Sequence, residues 1–192
     1  MNQKINRLLL ITIFTAIATG FMIFPQIPMF CGFMKLDCSI VPIIIILYIL
    51  GLKDAFWVLF LRSILKLMIN GEISSYIGMP MNVIAVISFI LAIWYFQRET
   101  AKFTLKKFML GGIVGTFLLT FVMIILNVIY ALPIYEKVMN FKLVNMRMNI
   151  KQWILLIILP FNLIQGILWI SISVLVLTLL QPIISKQKIK YK

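Results

Sequence analysis

Few residues in this 192-residue chain could do chemistry, and their types narrow what that chemistry could be. There is no histidine, which argues against the usual zinc and haem sites and removes imidazole acid–base catalysis. The carboxylates Asp37, Asp54, Glu72, Glu99 and Glu136 are scattered among apolar runs. A membrane-embedded lipid enzyme would need an acid–base pair at one depth. Cys31 and Cys38 fall near the first loop, where they form either a disulfide or two apolar thiols. No catalytic residue, metal-ligand set or cofactor is expected. Two cations stand out instead. Arg62 and Lys66 are four apart and share a helix face. A charge at membrane depth is costly unless paired or wetted, and marks a functional candidate. Asp37 and Glu72 are the candidate partners of Lys66. The alternatives are a structural ion pair or snorkelling of Lys66 to the interface. Arg62 lies deeper and reads as structural.

Four amides, Asn82, Asn127, Asn162 and Gln165, sit inside apolar runs. In lipid each must find a partner, so each is either glue between helices or part of a polar pocket. Asn82 opens the fourth run, Asn127 closes the fifth, and Asn162 and Gln165 share a face of the sixth. Because successive helices alternate in direction, all four fall at one depth. Such a layer suits a neutral polar ligand. Phe33, Tyr76, Tyr130 and Trp169 lie at the same level, as stacking partners for a flat ring or as an interfacial belt.

The elements that must position these residues follow from composition. The chain is 63% hydrophobic, against about 45–50% for soluble domains, and its mean hydropathy is +1.11. A soluble fold of this size could not hide that excess. A membrane span needs roughly 20 apolar residues, and six apolar runs are found: 8–24, 39–52, 55–69, 78–96, 108–132 and 153–180. The first resembles a signal peptide in shape, with Ala16-Ile17-Ala18 mimicking a cleavage site, but it continues past that point and is read as an uncleaved helix. Residues 25–37 form an apolar loop or re-entrant segment punctuated by Pro25, Pro28 and Gly32. Pro42 fits the first turn of the second run. Pro160 is tolerated in the sixth run or kinks it. The expectation is an all-α integral membrane protein: one compact bundle of six transmembrane helices over residues 1–192, with a flexible basic tail at 186–192.

The formal charge is +13. Basic excess can signal nucleic acid, but here Lys and Arg cluster between apolar runs and at the chain ends, so no nucleic-acid partner is expected. Eleven of the 18 basic residues fall on the side of the termini and five on the other. The positive-inside rule then places both termini in the cytoplasm. In the first run Thr12, Ala16 and Gly20 repeat every four residues, a small-residue stripe suited to close helix contact within the bundle or with a membrane partner.

Together these stretches resemble the riboflavin-specific substrate-binding (S) components of energy-coupling-factor (ECF) vitamin transporters. The resemblance rests on Met34 to Ser39 followed by Val41-Pro42, on Arg62 to Lys66, on Gly78 to Asn82, and on Pro160 to Gly166, in that order along nearly the whole chain. It implies a vitamin bound under the first loop near the outer surface. Main chain near Leu36, the Asn127 amide and position 165 would contact the flavin. Position 165 is a departure, since the resemblance leads one to expect Lys in many relatives where this chain has Gln165. Cys38 likewise replaces an aromatic. The resemblance further implies a plasma-membrane protein that hydrolyses no ATP itself. It would work with a transmembrane coupling subunit docked on Thr12, Ala16 and Gly20, and with two separate ATPases. No phosphate-binding G-x-x-x-x-G-K-[ST] motif occurs in the chain. The expected function is riboflavin capture for uptake, with Leu36, Asp37, Lys66, Asn82, Asn127, Asn162 and Gln165 as the substrate-binding set. Alternatives are another vitamin, a flavin nucleotide held by Lys35 and Lys66, a lipid enzyme, or an assembly protein without a ligand.

Overall fold

A computed structural model describes residues 3–29, 34–98, 103–139 and 147–191. Cys31, Phe33, Glu99, Lys102, Lys142 and Lys192 lie outside the described residues, and so does any pairing of Cys31 with Cys38. Helix α1 (Gln3–Ile23) is followed by a two-stranded antiparallel hairpin of β1 (Ile27–Met29) and β2 (Met34–Leu36). Helices α2 (Ile40–Ile49), α3 (Leu52–Ile69), α4 (Ile73–Gln97) and α5 (Leu105–Leu126) come next. A wide π turn (Asn127–Ala131) joins α5 to α6 (Leu132–Met139). A second π turn (Ile154–Ile158) joins α7 (Ile150–Trp153) to α8 (Leu159–Tyr191). With those turns included, the described helices make six rods.

Four rods are long and apolar enough to cross a membrane: Gln3–Ile23, Ile73–Gln97, Leu105–Met139 and Ile150–Pro182. The other two differ for physical reasons. All ten residues of α2 are buried, as befits a helix that is apolar on every side, and at 1.5 Å per residue it is only about 15 Å long. It is the central strut of the bundle, packed against α1, α3 and α8. Between α2 and α3, Gly51 sits at φ 102°, a left-handed backbone that glycine adopts without steric cost. Helix α3 contains Lys53, Asp54, Arg62 and Lys66, and it turns Asp54, Arg62 and Lys66 inward. Asp54 receives two hydrogen bonds from Arg7, at 2.7 and 2.9 Å, tying the start of α3 to the start of α1.

Several boundaries depart from the sequence reading. The apolar segment 25–37 is a hairpin over its described residues. Helix α4 begins at Ile73, so Asn82 stands more than two turns inside it rather than at its start. Asn127 does not close the fifth helix: the rod continues through the π turn to Met139. The sixth rod begins at Ile150, where the Asn149 side chain accepts from Gln152 N and the Gln152 side chain accepts from Asn149 N, a reciprocal cap. It runs to Tyr191, past the expected end near Leu180. Its π turn lies immediately before Pro160, whose ring would otherwise crowd the carbonyl one turn back.

Outside, the bundle is apolar: Phe117, Phe121, Leu175 and Leu179 are exposed. Water-soluble monomers rarely present such continuous apolar faces; lipid removes the penalty.

Candidate functional site

One end of the bundle, beneath the hairpin, holds a cavity of about 360 Å³, within the range of small-molecule sites. Asp37, Lys66, Asn82, Asn127, Asn162 and Gln165 all line it. Leu36 does not. Its side chain is buried in β2, across the ladder from Ile27. Of the aromatics singled out from sequence, Trp169 lines the cavity. Tyr76 is exposed, and Tyr130 packs against the Met81–Ala85–Met123–Ala131 cluster.

The polar groups are wired as follows. Arg62 is completely buried. Its Nη1 donates to Ser39 Oγ, and its Nη2 donates to Asn82 Oδ1 at 2.8 Å. The Asp37 carboxylate accepts from Ser39 N at 2.9 Å and from Ser39 Oγ. Asp37 and Arg62 are therefore joined through one hydroxyl, which lets two buried charges offset each other without direct contact. The main-chain oxygen of Asp37 accepts from Trp169 Nε1 at 2.9 Å and sits 3.5 Å from Gln165 Nε2. Thus Asp37 pins the loop after the hairpin to α8 with its backbone, and through Ser39 and Arg62 to α3 and α4 with its side chain. Lys66 is buried beside the cavity, with Lys35, Glu72 and Asp37 as its electrostatic neighbours. It forms no salt bridge with either expected partner; Glu72 instead lies 4.0 Å from Lys35.

Asn127 Nδ2 donates to Met123 O at 2.8 Å and Asn162 Nδ2 to Ile158 O at 2.7 Å. Each amide therefore spends one donor on its own rod rather than gluing two helices together.

The π turn at Asn127–Ala131 explains how one rod serves the cavity over such length. Leu119, Met123, Asn127, Ala131, Tyr135 and Met139, all four apart, line it. In a uniform α-helix a spacing of four drifts by about 40° per step. The wider turn rotates the stripe back, which fits the tendency of π bulges to occur at functional sites. This stripe was readable as a period of four, but only the π turn makes that period face one way. Sequence reasoning also missed the methionines. Met22, Met34, Met79, Met81, Met123 and Met139, half of the chain's twelve, line the cavity and give it soft, adaptable walls.

Cys38 beside Asp37 is only partly exposed. Burial, and then the Asp37 charge, push its thiol pKa up, so it stays protonated rather than becoming a nucleophilic thiolate. Among the described residues no cluster of metal-binding side chains occurs.

A family model described as ECF transporter, substrate-specific component, matches residues 6–177. The chain belongs to this family. Relatives of this S component include the riboflavin transporter RibU of Leuconostoc mesenteroides, 36% identical over 94% of this chain and 93% of that one. RibU of Streptococcus thermophilus is 39% identical, covering 85% of this chain and 76% of that one. A solved structure of the S component of a bacterial ECF transporter superposes with a TM-score of 0.74 at 26% identity, covering 93% of this chain and 96% of that chain. The S component is accordingly a multi-pass plasma-membrane protein of a transport system, and its six-rod bundle is the family's fold.

Trp169→Phe keeps an aromatic ring near Phe89, whose centroid lies 5.2 Å away, but deletes the indole donor to Asp37 O and leaves a void where the larger, buried indole stood. It is expected to lower unfolding stability by about 1–3 kcal/mol, read as thermal unfolding in detergent. Limited proteolysis should cut the first loop faster.

Proposed function

We propose that this S component captures riboflavin at the outer face of the plasma membrane for uptake by an ECF-type, ATP-driven transporter. The observation that carries the reading is the convergence of six polar side chains from the first loop, α3, α4, the α5 rod and α8 on one cavity that also presents an indole ring. Hydroxyls and ring heteroatoms of a flavin match that polar layer, and its flat ring matches the indole and methionine walls. Relatives that carry the name riboflavin transporter support the same ligand. The cations Lys35 and Lys66 also line the cavity, so a flavin phosphate is the second reading.

In this reading both termini face the cytoplasm. A transmembrane coupling subunit docks on α1, where Thr12, Ala16 and Gly20 are all exposed on the outer surface of the bundle and nothing lies within 4 Å of a Cβ built at Gly20. Two separate ATPase subunits supply the energy.

Purification in detergent from riboflavin-fed cells tests the reading. The expected product is yellow, with about one flavin per chain and quenched fluorescence, and the mass of the extracted flavin decides between riboflavin and its phosphate. A colourless protein that also fails to quench added riboflavin would sink the proposal. Asn127→Ala and Gln165→Ala are each expected to weaken riboflavin binding about tenfold or more with folding intact. Loss of folding instead would assign these amides to helix packing.

A further inference from the structure

The partners of two cavity amides fix which way each side chain faces. A guanidinium has donors and no acceptor. The Asn82 atom 2.8 Å from Arg62 Nη2 is therefore the oxygen. A main-chain carbonyl only accepts, so the Asn127 atom 2.8 Å from Met123 O is the nitrogen. The Asn82 NH2 group is left for the cavity on the α4 wall. The Asn127 carbonyl oxygen is left on the adjoining wall, formed by the α5 rod that packs against α4, where among the described residues it has no hydrogen-bond partner. Arg62 itself does not line the cavity; it acts through Asn82.

Resting on the riboflavin reading, we infer that Asn82 is a specificity-determining donor, oriented by the positioning residue Arg62, which receives an acceptor atom of the ligand: a ring carbonyl oxygen or an unprotonated ring nitrogen. Buried Arg62 cannot accept, so the amide cannot turn over without setting its NH2 against a guanidinium. The α4 wall therefore accepts no ligand N–H at this point. Position 82 selects against ligands that place a donor there, and a site whose polar group is left unpaired rejects the wrong ligand strongly.

Two substitutions separate this role from a structural one. In the N82D protein the carboxylate still accepts from Arg62, so the buried cation keeps its partner, but the cavity gains an acceptor where it had a donor. In N82A both functions go. Riboflavin affinity is measured by fluorescence quenching on the full chain in detergent, with thermal unfolding alongside. The inference expects N82A to bind about tenfold more weakly than the unsubstituted protein and N82D about 100-fold more weakly, while N82D unfolds at the higher temperature of the two. If Asn82 only satisfies Arg62, the binding order reverses and N82D recovers most of the affinity that N82A loses; that result overturns the inference and leaves the riboflavin reading standing. If the unsubstituted chain fails to quench riboflavin, the functional reading falls and this inference falls with it.

Discussion

Arg62→Met is expected to remove about 3–5 kcal/mol of folding stability, the usual consequence of deleting one partner of a buried ionic pair. Arg62 is fully buried, and it holds Ser39 of the first loop and Asn82 of α4 at once. Without it, the Asp37 carboxylate keeps its hydrogen bonds from Ser39 but loses the buried guanidinium that offsets its charge, and Asn82 Oδ1 loses its donor. Arg62→Lys should recover only part of the loss, because an ammonium cannot reproduce the planar fork that reaches two acceptors on different elements. A double-mutant cycle with Asp37→Asn checks the physical cause. If the two charges compensate each other through the Ser39 hydroxyl, removing both costs less than the sum of the single changes, with a coupling of about 0.5–3 kcal/mol. Strict additivity would mean that the charges are stabilised independently. Thermal and denaturant unfolding in one detergent give all four corners of the cycle.

Gly166→Ala is the second large effect. A Cβ built at Gly166 falls 2.3 Å from both Cγ2 and Oγ1 of Thr116 on α5. Thr116 is itself buried, and its hydroxyl donates to Gly112 O. It cannot swing away cheaply, because rotating it sacrifices that bond or drives the methyl into the helix backbone. Helices α5 and α8 must separate instead. Overpacking of this kind costs about 1–3 kcal/mol, and here it acts next to Gln165 and opposite the stripe through Met123 and Asn127. Riboflavin affinity should therefore fall together with stability. Thr116→Ala in the same chain should restore part of both, since it removes the two nearest atoms. A Gly166→Ala protein with unchanged stability would show that the α5–α8 contact is looser than the atomic distances indicate.

Much of this architecture is legible in the residues. Composition and the lengths of the apolar runs decide that the solvent is lipid, because no aqueous fold of 192 residues could bury that much apolar surface. Six runs become six rods, since a backbone in hydrocarbon must satisfy its hydrogen bonds within each segment. The four amides and Lys66 stand out for the same reason, as polar groups in apolar stretches, and the structure brings them to one cavity with Asp37.

What the sequence leaves open is direction and register. Strands of three residues, Ile27–Met29 and Met34–Leu36, are too short to show a readable alternation, so the hairpin is missed. The fifth run reads as ending at Leu132 because Pro133 follows, yet the rod passes through a wide turn and carries on to Met139. Arg62 reads as a structural cation without a partner, since Ser39 and Asn82 are 23 and 20 residues away in sequence. Which end of Asn82 faces the cavity depends wholly on which group meets its other end. Local periodicity and transfer free energy are properties of a segment, and they can be read from the chain alone. Donor–acceptor complementarity is a property of pairs of segments, and it exists only once the tertiary structure has brought them together.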